Sequence, residues 1–371
     1  MSRKEEQSAA RAAQGIQKVE AFWQARLPEA FRRLYTHFVH PFVAPCEFLS
    51  LDEIGEGVGR FYGMLPTFLP FGRIVGEGGL FGFYLTPDNE GGKWPVLFWD
   101  EDEQYLRPVA SDFEAFLRYC ILVGRYEVED DLHGVPDTEE QTRLTLGHLL
   151  QLPDEILTGS VPRNETELYQ RLTASDPQDA MSLCQMGCQR RAQARDERAL
   201  DYFHRAAEAA PWFGDAMYLT ADTYRVKEKF DRAVQGWWGT VQRLIPLCTR
   251  TYAWNLGEDH PEGEIYEVAS DALRQFDNYA EKATRRTPLW SVVVDGEPYD
   301  PHAREDLARL LTQQGDLYGA TRELFNALFL NSGSQTSDCE RVYDTLTAHL
   351  KHSNQERASS LARFDRDLSN L

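Results

Sequence analysis

Apolar positions obey two different rules along this chain. Up to about residue 125 helical and strand spacings alternate, whereas beyond about residue 140 the spacing is helical almost throughout, in segments rich in Ala, Leu, Gln, Arg and Glu. The pattern predicts helices over about 3–25 and 28–38. Leu27-Pro28-Glu29 would start the second, because proline is tolerated in a first helical turn. Aromatic, β-favouring runs at Gly79–Thr86 and Pro95–Trp99 predict strands joined by PDNEGGKW, whose Asn and Gly residues accept positive φ. A third strand is expected over Tyr105–Ala110, after the acidic turn DEDEQ. Ser111 with Glu114 three residues on then reads as a capping box for a helix to about Val123. Short turns without helical crossovers make this an α+β layout of helices, antiparallel meander and closing helix. Gly78 and Gly79 are expected to allow a close approach into the meander, with Phe81, Phe83 and Leu85 on one face and Phe113, Phe116 and Leu117 packing the closing helix on the sheet.

The second rule is a repeat. Pro177 and Pro211 stand 34 residues apart, and the same shift maps Leu183 onto Met217, Gly187 onto Ala221, Ala199 onto Ala233, Phe203 onto Trp237 and Ala206 onto Thr240. Helix hairpins that cannot bury their apolar faces alone stack in this way, small residues letting helices approach and Phe203 and Trp237 filling the space between. Period and residue types resemble the tetratricopeptide repeat, although Arg190 replaces an aromatic in the first copy and the second departs at Thr240. A more distant copy is read at Leu307, Ala308, Leu311, Gly315, Ala320, Leu324 and Ala327. Between them lies a degenerate stretch with a helix at about Gly263–Arg286, followed by TPLWSVVVDGEPYDP as an irregular insertion. Helices at about Thr336–Lys351 and Asn354–Asn370 would cap the array, and Glu165–Ala174 reads as the second helix of a worn or capping repeat.

The acidic run Glu127, Glu129, Asp130, Asp131 leading into HGVPDTEE marks the domain boundary. The expected division is an α+β domain over 1–134 and an all-α repeat domain over 135–371, with an insertion about 248–300. Within the first domain, LPEAFRRLY, FLSLDEI, FLPFGRIVGEGGLFGFYL, WPVLFWDEDE and VASDFEAFLRYCI occur in an order that resembles the SUKH superfamily. That superfamily is known for bacterial toxin-immunity proteins and a fungal cell-wall assembly regulator. The resemblance implies protein recognition without a catalytic constellation. HFVHPFVAPC and Glu77-Gly78-Gly79 depart from the family's usual loop and turn.

Charge narrows the partners. The chain has 371 residues, 39 Lys+Arg against 59 Asp+Glu and a net charge of −20. A phosphate-backbone partner needs a basic surface, so nucleic acid is excluded as the main partner and a basic protein is favoured. Residues 88–131 hold twelve acids and four bases, so all the −8 of segment 1–134 is gathered in its meander and closing helix. Asp88, Glu90, Asp100, Glu101, Asp102 and Glu103 are the candidate docking acids, with a solvated hairpin tip as the plain alternative.

In the repeats, the family pattern places Met181, Cys184, Cys188, Arg191 and Ala192, then Asp215, Tyr218, Asp222, Arg225 and Val226, on the concave face. Of these, Arg191, Tyr218, Asp222 and Arg225 are the candidate peptide contacts.

Other chemistry finds no support. The glycines at 55–59 and 76–79 lack the Lys-Ser/Thr of a phosphate loop. His37/His40 and His349/His352 share helical faces but have no third ligand at a familiar spacing. The six cysteines contain no CxxC pair and read as reduced, buried thiols. No cofactor or metal is expected. The first twenty residues lack a secretory core and no apolar run reaches membrane-spanning length, so the chain reads as soluble and cytoplasmic. The expectation is a non-enzymatic protein-binding protein, first a toxin-neutralising immunity protein and alternatively a scaffold or regulatory adaptor. The oligomeric state stays open.

Overall fold

The computed structural model describes residues 3–38, 41–61, 64–76, 78–85, 93–130, 145–147, 156–157, 159–254, 256, 262–331, 337–353 and 355–367. They belong to two compact units, one of Met1–Arg60, Thr67–Glu103 and Pro108–Ser182, the other of Phe61–Pro66, Gln104–Arg107 and Leu183–Leu371.

The first unit opens with α1 (Arg3–Trp23), which buries Ile16, Val19 and Trp23 along one stripe, and α2 (Glu29–His37), which buries Ala30, Phe31, Leu34 and Tyr35. An antiparallel sheet follows in simple order from β1 to β6: β1 (Phe42–Val43), β2 (Cys46–Phe48), β3 (Phe68–Ile74), β4 (Gly79–Tyr84), β5 (Val96–Asp100) and β6 (Tyr105–Ala110). Helix α3 (Leu51–Gly55) sits between β2 and β3, and α4 (Phe113–Asp130) closes the meander. The predicted helices and last three strands are present.

The first three strands were not expected. β3 carries Pro70 and Gly72, residues that argue against a strand, and it is buried along most of its length, so it shows no alternation. The sheet accommodates both at a bulge, where the β3–β4 register shifts between Pro70 and Gly72.

The core of this unit is four phenylalanines from four elements. Phe31 of α2, Phe71 of β3, Phe83 of β4 and Phe113 of α4 are all within 1% of complete burial, and their six ring pairs lie 4.6 to 5.8 Å apart. Tilted and edge-on contacts at this range add to the burial of the rings themselves. Phe81 and Phe116 extend the cluster at 5.1 Å, so the expected seating of the closing helix on the sheet holds.

The capping box expected at Ser111 is not formed. Asp112 caps α4 by accepting from the Ala115 N–H at 2.8 Å, and Ser111 turns away, donating its N–H and hydroxyl to Asp176 at 2.8 Å each. A capping box does form at α3, where Ser50 and Glu53 bond each other's backbone N–H groups. Helix α5 (Glu165–Ser175) packs its Leu168 and Leu172 against Leu122 and Val123 of α4. The expected boundary falls largely in residues 131–144, outside the described residues.

In the second unit, hairpins α6/α7 (Ala180–Ala192, Asp196–Ala209) and α8/α9 (Gly214–Val226, Phe230–Val241) follow one another. The period is visible in the backbone as well as in the residues, because Ala194 and Glu228, 34 positions apart, both adopt positive φ (55° and 56°) in the turns of successive hairpins. Gly187 is required by packing: a Cβ there would lie 2.3 Å from the Phe203 ring. In the second copy the close approach is Ala221 against Gly236, where an added Cβ would meet the Ala221 methyl at 2.7 Å.

Helix α10 (Ile265–Gln275) ends well before Arg286, and short 3-10 turns succeed it. The stretch read as irregular contains a helix, α11 (Pro288–Val293), started by Thr287 as N-cap with Pro288 in the first turn. The Val-Val-Val-Asp-Gly run that follows obscured this start signal. The distant third copy is the hairpin α12/α13 (Pro301–Gln313, Leu317–Asn331), with Gly315 at φ 82° in its turn, and α14 (Ser337–His352) and α15 (Glu356–Asp367) follow.

An ionic network that the sequence pattern does not announce lies inside α10–α13. Arg304 and Glu323, both fully buried, pair at 2.7 Å, and Arg304 also donates to the Tyr266 hydroxyl and the Pro298 carbonyl while Arg322 donates to Glu323 at 2.6 Å. Burial raises the Glu323 pKa, but Arg322 and Arg304 outweigh it and the net shift is downward.

Two stability outcomes follow. Phe71→Ala is expected to cost about 3–5 kcal/mol, because five rings (Phe31, Phe48, Phe83, Phe113 and Phe116) lose a common partner, and the first unit should unfold at correspondingly lower urea. A loss below about 1 kcal/mol would sink the idea of a four-ring core. Glu323→Gln strands the Arg304 charge in the interior and is expected to lower the second unit's stability by about 3–5 kcal/mol, read by the same titration.

Candidate protein-binding surfaces

The acidic turn is built by its own backbone. Asp100 at the end of β5 accepts from the Glu103 N–H at 3.1 Å, closing the turn, and Gln104 enters β6 through positive φ (55°). Closure in this way leaves Glu101 and Asp102 exposed and Asp100 and Glu103 half-buried. The Glu101 carboxylate folds back toward Gly78, lying 3.0 Å from where a Cβ there would stand. Asp88 and Glu90 lie outside the described residues.

The repeat candidates have a different fate. Arg191, Asp222 and Arg225 come together, the Asp222 carboxylate receiving Arg191 Nη2 at 2.5 Å and Arg225 Nε at 2.7 Å. Asp222 is 2% exposed and Tyr218 1%, so neither presents surface to a peptide in this conformation, whereas the side chains of Arg191 (14%) and Arg225 (35%) reach the surface in part. The physical reason is pairing: one acid on α8 sits within reach of a cation one turn on and a cation on α6, and together they neutralise its charge within the hairpins. Cys184 and Cys188 are buried too, and burial pushes the Cys188 thiol up to about 12. Val226 is exposed.

Asp215 has a role the concave-face pattern missed. From the first turn of α8 its fully buried carboxylate accepts from the Thr249 N–H at 2.9 Å, the Thr249 hydroxyl and the Trp254 indole at 2.8 Å, tying the segment after α9 to the start of α8. Only the spacing of an Asp at a helix start signals such a residue, and its partners lie 34 to 39 positions away. Burial pushes Asp215 up to about 7, its three donors offsetting part of that rise, and burial likewise pushes Asp179 to about 7 against the bond from Ser182.

Both acids therefore bind protons more tightly folded than unfolded. The stability that this supplies is fully present below about pH 4 and is lost as pH rises through about 7. Thermal midpoints are expected to fall between pH 5 and pH 8, with a shallower fall in Asp215→Asn. A slope unchanged by that substitution would remove Asp215 from the account.

Comparison with known families bears on the first unit. Residues 12–119 match the SMI1/KNR4 family (SUKH-1). No curated protein matches the chain. Among solved structures, the chain is similar to YrrB, a tetratricopeptide protein with an unusual peptide-binding site, at 16% identity and TM-score 0.24 over 55% of this chain and 97% of that one. It is also similar to the Cut9–Hcn1 hetero-tetramer of the APC/C, at 15% identity and TM-score 0.24 over 68% of this chain and 46% of that one. The repeat itself rests on the hairpins' own geometry rather than on these overlaps. Residues 12–119 thus match the SMI1/KNR4 (SUKH-1) family, and a helical-repeat region follows them.

Proposed function

We propose that this is a non-enzymatic binding protein that neutralises a basic toxin domain by covering it with the acidic end of the SUKH domain. The observation that carries the reading is the exposed Glu101–Asp102 tip on a turn closed by Asp100 and Glu103, in a segment, 88–131, of net charge −8. A turn pre-closed by its own backbone presents its acids with little left to order on binding. Immunity proteins of the SUKH superfamily act by protein recognition, in keeping with this surface. No described helix is long and apolar enough to cross a membrane.

The test is co-expression with a toxin candidate from the neighbouring genes. Protection and a stable complex are expected, with Glu101→Lys/Asp102→Lys slowing association about tenfold at low salt and much less at high salt, as rim charges do. No complex and no protection would end the immunity reading.

A second reading, a scaffold or adaptor, draws support from Arg191 and Arg225, which reach the surface of the stacked hairpins. An adaptor would hold a further protein whose binding is lost in Arg225→Glu and retained in the acidic-turn variant.

A further inference from the structure

A different surface of the second unit has the opposite chemistry. A groove of about 440 Å³ runs between α7, α8 and α9, contributed to by His204, Thr220, Tyr224, Arg232 and Gln235. In a chain with 59 acids to 39 bases, none of its nine lining residues is Asp or Glu. Arg232 and Lys229 converge on one ring, with the Arg232 guanidinium carbon 5.4 Å and the Lys229 ammonium 6.0 Å from the Tyr224 centroid. Arg232 reaches the Tyr224 hydroxyl at 3.5 Å, the edge of hydrogen bonding. Among the described residues neither cation is in an ion pair; Glu197, which pairs with Lys227 at 2.8 Å, lies within electrostatic range of both but beyond ion-pair distance. The glycines on its α9 side are packed against α8, Gly236 against Ala221. Gly236 and Gly239 are one turn apart on α9, and a Cβ on Gly239 would stand 2.8 Å from the Met217 sulfur.

We propose that this groove binds an acidic peptide segment of a partner protein, its carboxylates on Arg232 and Lys229 and its chain laid over Tyr224. A guanidinium has five donors and spends at most one here, so a carboxylate can be gripped by two without displacing an existing ion pair. The groove is open to solvent. A compact free anion would remain largely hydrated in it, whereas a peptide can set successive carboxylates on the two cations. The site is separate from the acidic turn, and it stands whether or not that turn binds a toxin.

The test is anisotropy of a fluorescein-labelled heptapeptide with Glu at alternate positions, against the same peptide with Gln, on the full chain at 0.15 M salt. There the screening length is about 8 Å, so the groove's own charges dominate. The net charge of −20 acts in the opposite sense, favouring the Gln peptide, which makes the sign diagnostic. At least fivefold tighter binding of the Glu peptide is expected, lost in Lys229→Gln/Arg232→Gln. Both side chains are exposed, so the fold should survive, as an unchanged melting curve would verify. Equal affinity for the two peptides, no binding, a preference that persists in the double variant, or full displacement by 10 mM inorganic phosphate would each overturn the proposal.

Discussion

The packing of Phe31, Phe71, Phe83 and Phe113 is the constraint on which the first unit depends. Each ring comes from a different element, so the cluster fixes α2, two adjacent strands and α4 in a single act of burial. The acidic turn is positioned by it: β4 holds β5 in register from Gly79↔Asp100 to Phe83↔Val96, and β5 ends at that turn. Loss of shape at the core would therefore reach Glu101 and Asp102 through the ladder, with no direct contact needed.

The second unit depends on small residues set against large ones. Gly187 receives Phe203 and Gly236 receives Ala221, so hairpins close at distances no larger residue permits. The turn residues Ala194 and Glu228 repeat in backbone conformation because the same reversal recurs after 34 residues. Buried charge is the other theme. Arg304 with Glu323 is internally compensated, and the Asp222 carboxylate is compensated by Arg191 and Arg225. The buried acids are thereby removed from the surface, so net charge is a poor guide to where a partner would dock. What remains outward is uneven, acids at the β5–β6 turn and cations beside Tyr224.

Much of the architecture was legible in the chain. Aromatic, β-favouring runs between turn residues revealed β4 to β6, and a fixed offset revealed the hairpins, because both signals are local in sequence. β3 was hidden because Pro70 and Gly72 find their tolerance only in a bulge paired with β4. Ser111 shows the same limit. Its spacing to Glu114 satisfies the capping rule, yet Asp176, 65 residues away, takes both its donors.

For recognition the division falls at the same place. Residue types and spacing by themselves determined that there is an acidic turn, a repeat of 34 residues and a set of charged positions on its first helices. Only the tertiary structure decided which of those charges face out. Asp222 and Tyr218 are inside while Glu101 and Asp102 are outside, and Arg232 and Lys229 meet over a ring on another helix. The physical reason is that exposure and pairing are set by groups distant in sequence. Burial penalises an unpaired charge strongly, and a partner's position is known only once the chain has folded.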